Sequence, residues 1–98
     1  MTLHACSEAE RDYVDAVAYY MEEETPRTAE RFSNILEDSY RDIKAAPFLF
    51  APDKDGIRRK PIKGFPEHSV AYRVKDDVIE IIAIRHHKRK PGFWRKRL

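Results

Sequence analysis

At Gly56 the spacing of apolar residues changes, and with it the kind of structure the chain can form. Before it, Ala9, Tyr13, Val17 and Tyr20, with Val14, Ala18 and Met21 beside them, recur at three- and four-residue intervals. Ala29, Phe32, Leu36, Tyr40 and Ile43 then repeat the same helical stripe. After it come three short runs rich in β-branched residues, Ile57 to Lys63, Ser69 to Val74 and Val78 to Ile84. Each stripe and each sheet face needs a partner to exclude water, and 98 residues hold one core. The predicted architecture is therefore α+β: an N-terminal strand and a helical hairpin packed on a small, mainly antiparallel C-terminal sheet, forming a single domain over residues 1–98.

Local signals set the boundaries. Thr2 to Cys6 is a short, mildly apolar strand candidate, and Ser7 with Glu10 has the spacing of a capping box that starts the first helix. Thr25-Pro26 starts the second, since threonine caps and proline at the first helical position lacks only an N–H that would be unpaired anyway. Pro47 forces its predecessor out of helical geometry, so the second helix should stop near Ala45. Residues 47–56, with two prolines, Phe48-Leu49-Phe50 and the Asp53-Lys54-Asp55-Gly56 cluster, read as a loop with one anchoring segment. Gly64-Phe65-Pro66 and Lys75-Asp76-Asp77 separate the three strands as turns of an antiparallel meander.

The charged share of 37% exceeds the roughly 25% typical of globular chains, yet the 42% of hydrophobic residues suffices for a core. Residues 1–56 hold 6 Lys+Arg against 13 Asp+Glu, whereas residues 57–98 hold 13 against 4. A chain divided in this way is expected to turn one face towards phosphates or an acidic partner. The start of the chain lacks the apolar run of a signal peptide, and no stretch reaches the ~18 apolar residues of a membrane span, so the expected compartment is the cytoplasm, with no membrane partner. Cys6 is the lone cysteine, which leaves no intrachain disulfide; a half-buried strand position is expected for it, and neither a metal nor a cofactor is implied.

Several segments together resemble the RelE/ParE toxins of type II toxin–antitoxin pairs: the hairpin with its Pro26 start, Gly56-Ile57-Arg58-Arg59, Lys63-Gly64-Phe65-Pro66, Tyr72-Arg73-Val74, and the ending His86-x-x-Arg89-x-Pro91-x-Phe93-Trp94-x-x-Arg97. The resemblance covers almost the whole chain. It implies a helical hairpin on one face of a small sheet, and a partner antitoxin whose acidic segment wraps the toxin. Two activities are known in that superfamily, poisoning of DNA gyrase and cleavage of mRNA in the ribosome.

For the nuclease activity the resemblance points to Arg73 as the transition-state cation and to His86 as base or acid, an imidazole being able to serve either role near neutral pH. Arg58, Arg59, Lys63, Arg85, Arg89 and Arg97 are the candidate contacts to phosphates or to the target. Ribonucleolytic members often carry a tyrosine near the C-terminus; here the nearest aromatic is Phe93, which has no proton to give. That departure favours a ParE-like toxin that binds a target such as gyrase without catalysis. The alternatives are a ribosome-dependent mRNA endonuclease and a non-toxic basic nucleic-acid-binding module. Trp94 either stacks on bases or folds back to anchor the tail; burial of a large indole favours the anchor.

Overall fold

The chain forms four strands and two long helices in a computed structural model that describes residues 1–88 and 93–98. In order they are β1 (Thr2–Ala5), α1 (Ser7–Glu23), α2 (Pro26–Ala45), β2 (Arg58–Pro61), β3 (His68–Lys75) and β4 (Val78–His86), followed by a 3₁₀ turn over Phe93–Arg97. The strand order is β1-β4-β3-β2, with β2, β3 and β4 antiparallel and β1 added parallel to β4. The predicted N-terminal strand is thus part of the sheet, at the edge opposite β2. Cys6 falls just beyond it, half-buried, with its Sγ donating to the Ile82 carbonyl at 3.4 Å.

The two helix starts differ in chemistry. At α2 the Thr25 hydroxyl accepts from the Thr28 N–H at 3.1 Å and Pro26 occupies the first turn, as the sequence implies. At α1 the helix does begin at Ser7, but the cap position is Cys6 and no side chain caps it. Ser7 instead bonds the carboxylate of its neighbour Glu8, so the expected capping box does not form.

Ala9, Ala16, Tyr20, Ala29, Phe32, Leu36 and Ile43 pack from the helices onto Val70, Tyr72, Ile79, Ile81 and Ile84 of the sheet. Val14 and Met21, expected at the flank of the stripe, are exposed. Asp12 takes their place on the buried side.

One irregularity governs the outer face of the sheet. Tyr72 pairs with Ile81 while the preceding Ala71 pairs with Ala83, so Ile82 is an extra residue in β4. This bulge switches the strand's alternation: Ile79 and Ile81 face the helices before it, Ile84 after it. Ala83 and Arg85 therefore turn outwards, and Ile57, Ala71, Ile82, Ala83 and Trp94 close a second, smaller core on that side. The Lys75–Val78 connection is a two-residue hairpin turn with Asp76 and Asp77 at φ 52° and 63°, the left-handed geometry that suits the twist of the flanking strands.

Candidate functional site

Cross-strand pairing assigns each candidate to a face. On β2 and β3, Arg59 lies opposite Ala71. On β3 and β4, Ser69 lies opposite Arg85 and Arg73 opposite Glu80. Because Val70, Tyr72 and Val74 serve the helix-side core, the intervening Ser69, Ala71 and Arg73 point to the outer face. Arg73 is there as alternation predicts, but it is not an open cation: its Nε donates to Glu80 Oε1 at 2.8 Å in a half-buried ion pair.

His86 stands opposite His68, five positions along β3 from Arg73. At ~3.3 Å per residue that separates the two by roughly 17 Å. It also faces the helices, its ring 4.7 Å from that of His68 and 6.0 Å from that of Tyr19. Arg73 and His86 are thus on opposite faces and at opposite ends of the ladder, and they do not converge on one scissile bond.

The histidines form a stack of their own. His68 is buried and its Nδ1 meets the Tyr20 hydroxyl at 3.0 Å, while His86 stacks on His87 at 4.9 Å. Burial, and then the neighbouring imidazole of His86, push His68 down to about 4. Burial and the adjacent His87 and Lys88 also lower His86. Neutral His68 shares a hydrogen bond with the Tyr20 hydroxyl, and His86 Nδ1 accepts from the Lys88 N–H at 3.1 Å. A cleft of about 180 Å³ opens beside this stack, lined by Asp12, Asp15, Tyr19 and the two histidines.

Arg97 is a structural cation. It reaches across the C-terminal turn to Asp12 on α1, Nη1 to Oδ2 at 2.7 Å, and donates a further bond to the Ile82 carbonyl at 3.0 Å. The same Asp12 oxygen accepts the Ile84 N–H at 3.1 Å. The Asp12 bond holds Arg97 above its ordinary range. This latch seats Trp94, 2% exposed, on the outer face of the sheet, so the indole anchors the tail. Sequence reasoning missed Asp12, although its position three residues after Ala9 and four before Ala16 puts it on the helix stripe.

Arg58 is also turned to local duty. Its guanidinium bonds the carbonyl of Phe50, lies 3.5 Å from that of Phe48, and covers the Phe48 ring at 5.2 Å. With the Tyr72 hydroxyl on the Pro47 carbonyl at 2.9 Å, it fixes the loop that displays Phe48 and Leu49. Lys63 is exposed and lines a separate cleft with Lys60 and the acidic side of α2. Arg89 lies outside the described residues.

Arg59 and Arg85 are different. Both lie over the Trp94 ring, at 5.0 and 5.7 Å, and both line a cleft of about 250 Å³ with Pro61, Pro66, Glu67, Ser69 and His87. Neither has a carboxylate at ion-pair distance among the described residues. The sheet thus brings together two of the candidate cations on one outer patch, Arg59 and Arg85, and engages Arg58, Arg73 and Arg97 elsewhere.

Comparison with known proteins agrees with this architecture. Residues 7–91 match the family described as the ParE toxin of the type II toxin–antitoxin system parDE. The curated protein Toxin ParE2 of Mycobacterium tuberculosis is 34% identical over 84 residues, which cover 85% of this chain and 78% of that protein. Among solved structures, the chromosomal ParDE system from P. aeruginosa superposes with a TM-score of 0.77 at 19% identity, covering 88% of this chain and 95% of the other. The YoeB/ParE toxin from Agrobacterium tumefaciens gives 0.64 at 27% identity, covering 89% and 99%.

Proposed function

Because the chain belongs to the ParE toxin family of type II toxin–antitoxin systems, we propose that it inhibits growth by binding a macromolecular target, with DNA gyrase the leading candidate, rather than by cutting RNA. The observation that carries this reading is the separation of Arg73 from His86. Metal-independent cleavage next to a ribose 2′-hydroxyl needs a base, a leaving-group acid and a cation gathered around one phosphate within hydrogen-bond reach. Arg73 is instead neutralised by Glu80 on the outer face, and His86 is stacked among aromatic and imidazole rings on the other. The proton source that a C-terminal tyrosine supplies in ribonucleolytic relatives is replaced by Phe93, half-buried under the Arg97 guanidinium.

The preorganised surfaces suit recognition. Phe48 and Leu49, 59% and 73% exposed, stand on a loop that Arg58 and Tyr72 hold in place, and rigid exposed apolar residues are the usual anchors of an interface. The partner that restrains the toxin is an antitoxin with an acidic segment, complementary to the basic C-terminal half. Among the described residues no helix is long and apolar enough to cross a membrane.

Induced expression of this chain alone and together with the product of the flanking reading frame tests the pair. Growth arrest that the flanking product relieves is the expected result. Normal growth on expression of the folded chain alone would end the toxin reading. Loss of supercoiling by purified gyrase in the presence of the chain tests the target, and Phe48→Ser with Leu49→Ser is expected to weaken that inhibition at least about tenfold.

A further inference from the structure

Among the described residues several arginines of the C-terminal half are answered by carboxylates: Arg73 pairs with Glu80, Arg95 with Asp55 at 3.3 Å and Arg97 with Asp12. In the Arg59–Arg85 cleft no such ion pair forms among the described residues. Arg85 is half-buried, and its Nε, screened from solvent, has no hydrogen-bond partner among the described residues. The Ser69 hydroxyl, on the rung opposite Arg85, also has no bond of its own there. Burial, and then the charge of Arg59, lower Arg85.

Two guanidinium groups and a hydroxyl that line one cleft without an acceptor are stabilised when another molecule supplies one. Building on the antitoxin reading above, we propose that this cleft receives one carboxylate side chain from the antitoxin's acidic segment, held by the forks of Arg59 and Arg85 with Ser69 beneath. A guanidinium fork matches a carboxylate with two parallel bonds, and the Pro61 and Pro66 walls suit the methylene stem of an acidic side chain. A nucleic acid fits the site less well. The indole between the two arginines is buried and offers no base-stacking surface. Glu67 in the wall also puts a negative charge where a phosphate would lie.

The test is a titration of the full chain with the purified product of the flanking reading frame, alongside a titration with a 20-base-pair DNA duplex. Wild type is compared with Arg59→Gln, Arg85→Gln, Arg85→Lys and Lys75→Gln. The last removes one positive charge from the β3–β4 turn, away from the cleft, and far-ultraviolet circular dichroism verifies folding in each. Each arginine-to-glutamine change is expected to weaken antitoxin binding about tenfold or more, and Arg85→Lys is expected to restore little, since charge without the fork is not enough. Lys75→Gln is expected to match the wild type. Equal affinity of wild type and both glutamine variants would overturn the proposal while leaving the antitoxin reading intact. So would an equal loss in Lys75→Gln, which would mark diffuse attraction, or a loss confined to the DNA arm. If the flanking product fails to bind the wild type, the antitoxin reading falls and takes the proposal with it.

Discussion

Removing the Asp12 carboxylate leaves the Arg97 guanidinium and the Ile84 N–H without their shared acceptor in a place that water barely reaches, the two side chains being 5% and 12% exposed. Breaking one side of such a pair is expected to cost ~3–5 kcal/mol. Asp12→Ala should therefore lower the urea midpoint sharply, and Arg97→Met should do so less, because the remaining carboxylate keeps the backbone N–H. The double variant Asp12→Leu with Arg97→Met is expected to recover part of the loss, a coupling that a double-mutant cycle reads directly. His68 makes the second prediction at this scale. Its proton affinity is depressed in the folded state to about 4, against ~6.5 in an unfolded chain. Unfolded chains then bind the extra proton between those values, so the contribution is complete above pH 6.5 and is lost as pH falls towards 4. The loss amounts to at most ~3 kcal/mol. A stability–pH profile should show that slope in the wild type and a flatter one in His68→Gln.

The helix starts give an element-scale contrast where the sequence alone implies a cap at both. Thr25→Ala is expected to cost ~1 kcal/mol by removing a real cap, whereas Ser7→Ala should change stability by no more than a few tenths. Thermal melts of the two variants decide it. At the β3–β4 turn, Asp77→Gly should raise stability by ~0.5–1 kcal/mol, since glycine takes φ near 60° without strain and Asp-Gly is a preferred pair for this turn. The elements themselves were largely legible. Period, proline and threonine located α2, and β-branched runs located β3 and β4 to within about two residues. Two features were not. The Ile82 bulge follows from cross-strand register, which no run of isoleucines specifies, and it is this extra residue that sends Arg85 outwards. Cys6 took the cap position in place of Ser7: it is still extended, and its carbonyl accepts the Glu10 N–H at 3.0 Å.

The charge division along the chain has a different meaning once the whole molecule is assembled. Three cations of the basic C-terminal half are used against the acidic N-terminal half: Arg97 on Asp12, Arg95 on Asp55 and Lys60 on Asp42 at 3.7 Å. Composition shows the excess of cations but not which of them the fold consumes, so the eight sequence candidates could not be ranked until pairing was visible. Among the described residues Arg59 and Arg85 have no carboxylate at ion-pair distance, and Phe48 with Leu49 lie outside both cores. The proposed function is occupation of a target rather than chemistry on it. The most direct test adds the antitoxin-free protein to a coupled translation extract with a defined mRNA, and in parallel to gyrase with supercoiled plasmid and ATP. Intact mRNA together with trapped, gyrase-dependent DNA breaks is the predicted result. Codon-phased mRNA cuts that disappear in Arg73→Ala would contradict it and make the chain a ribosome-dependent nuclease.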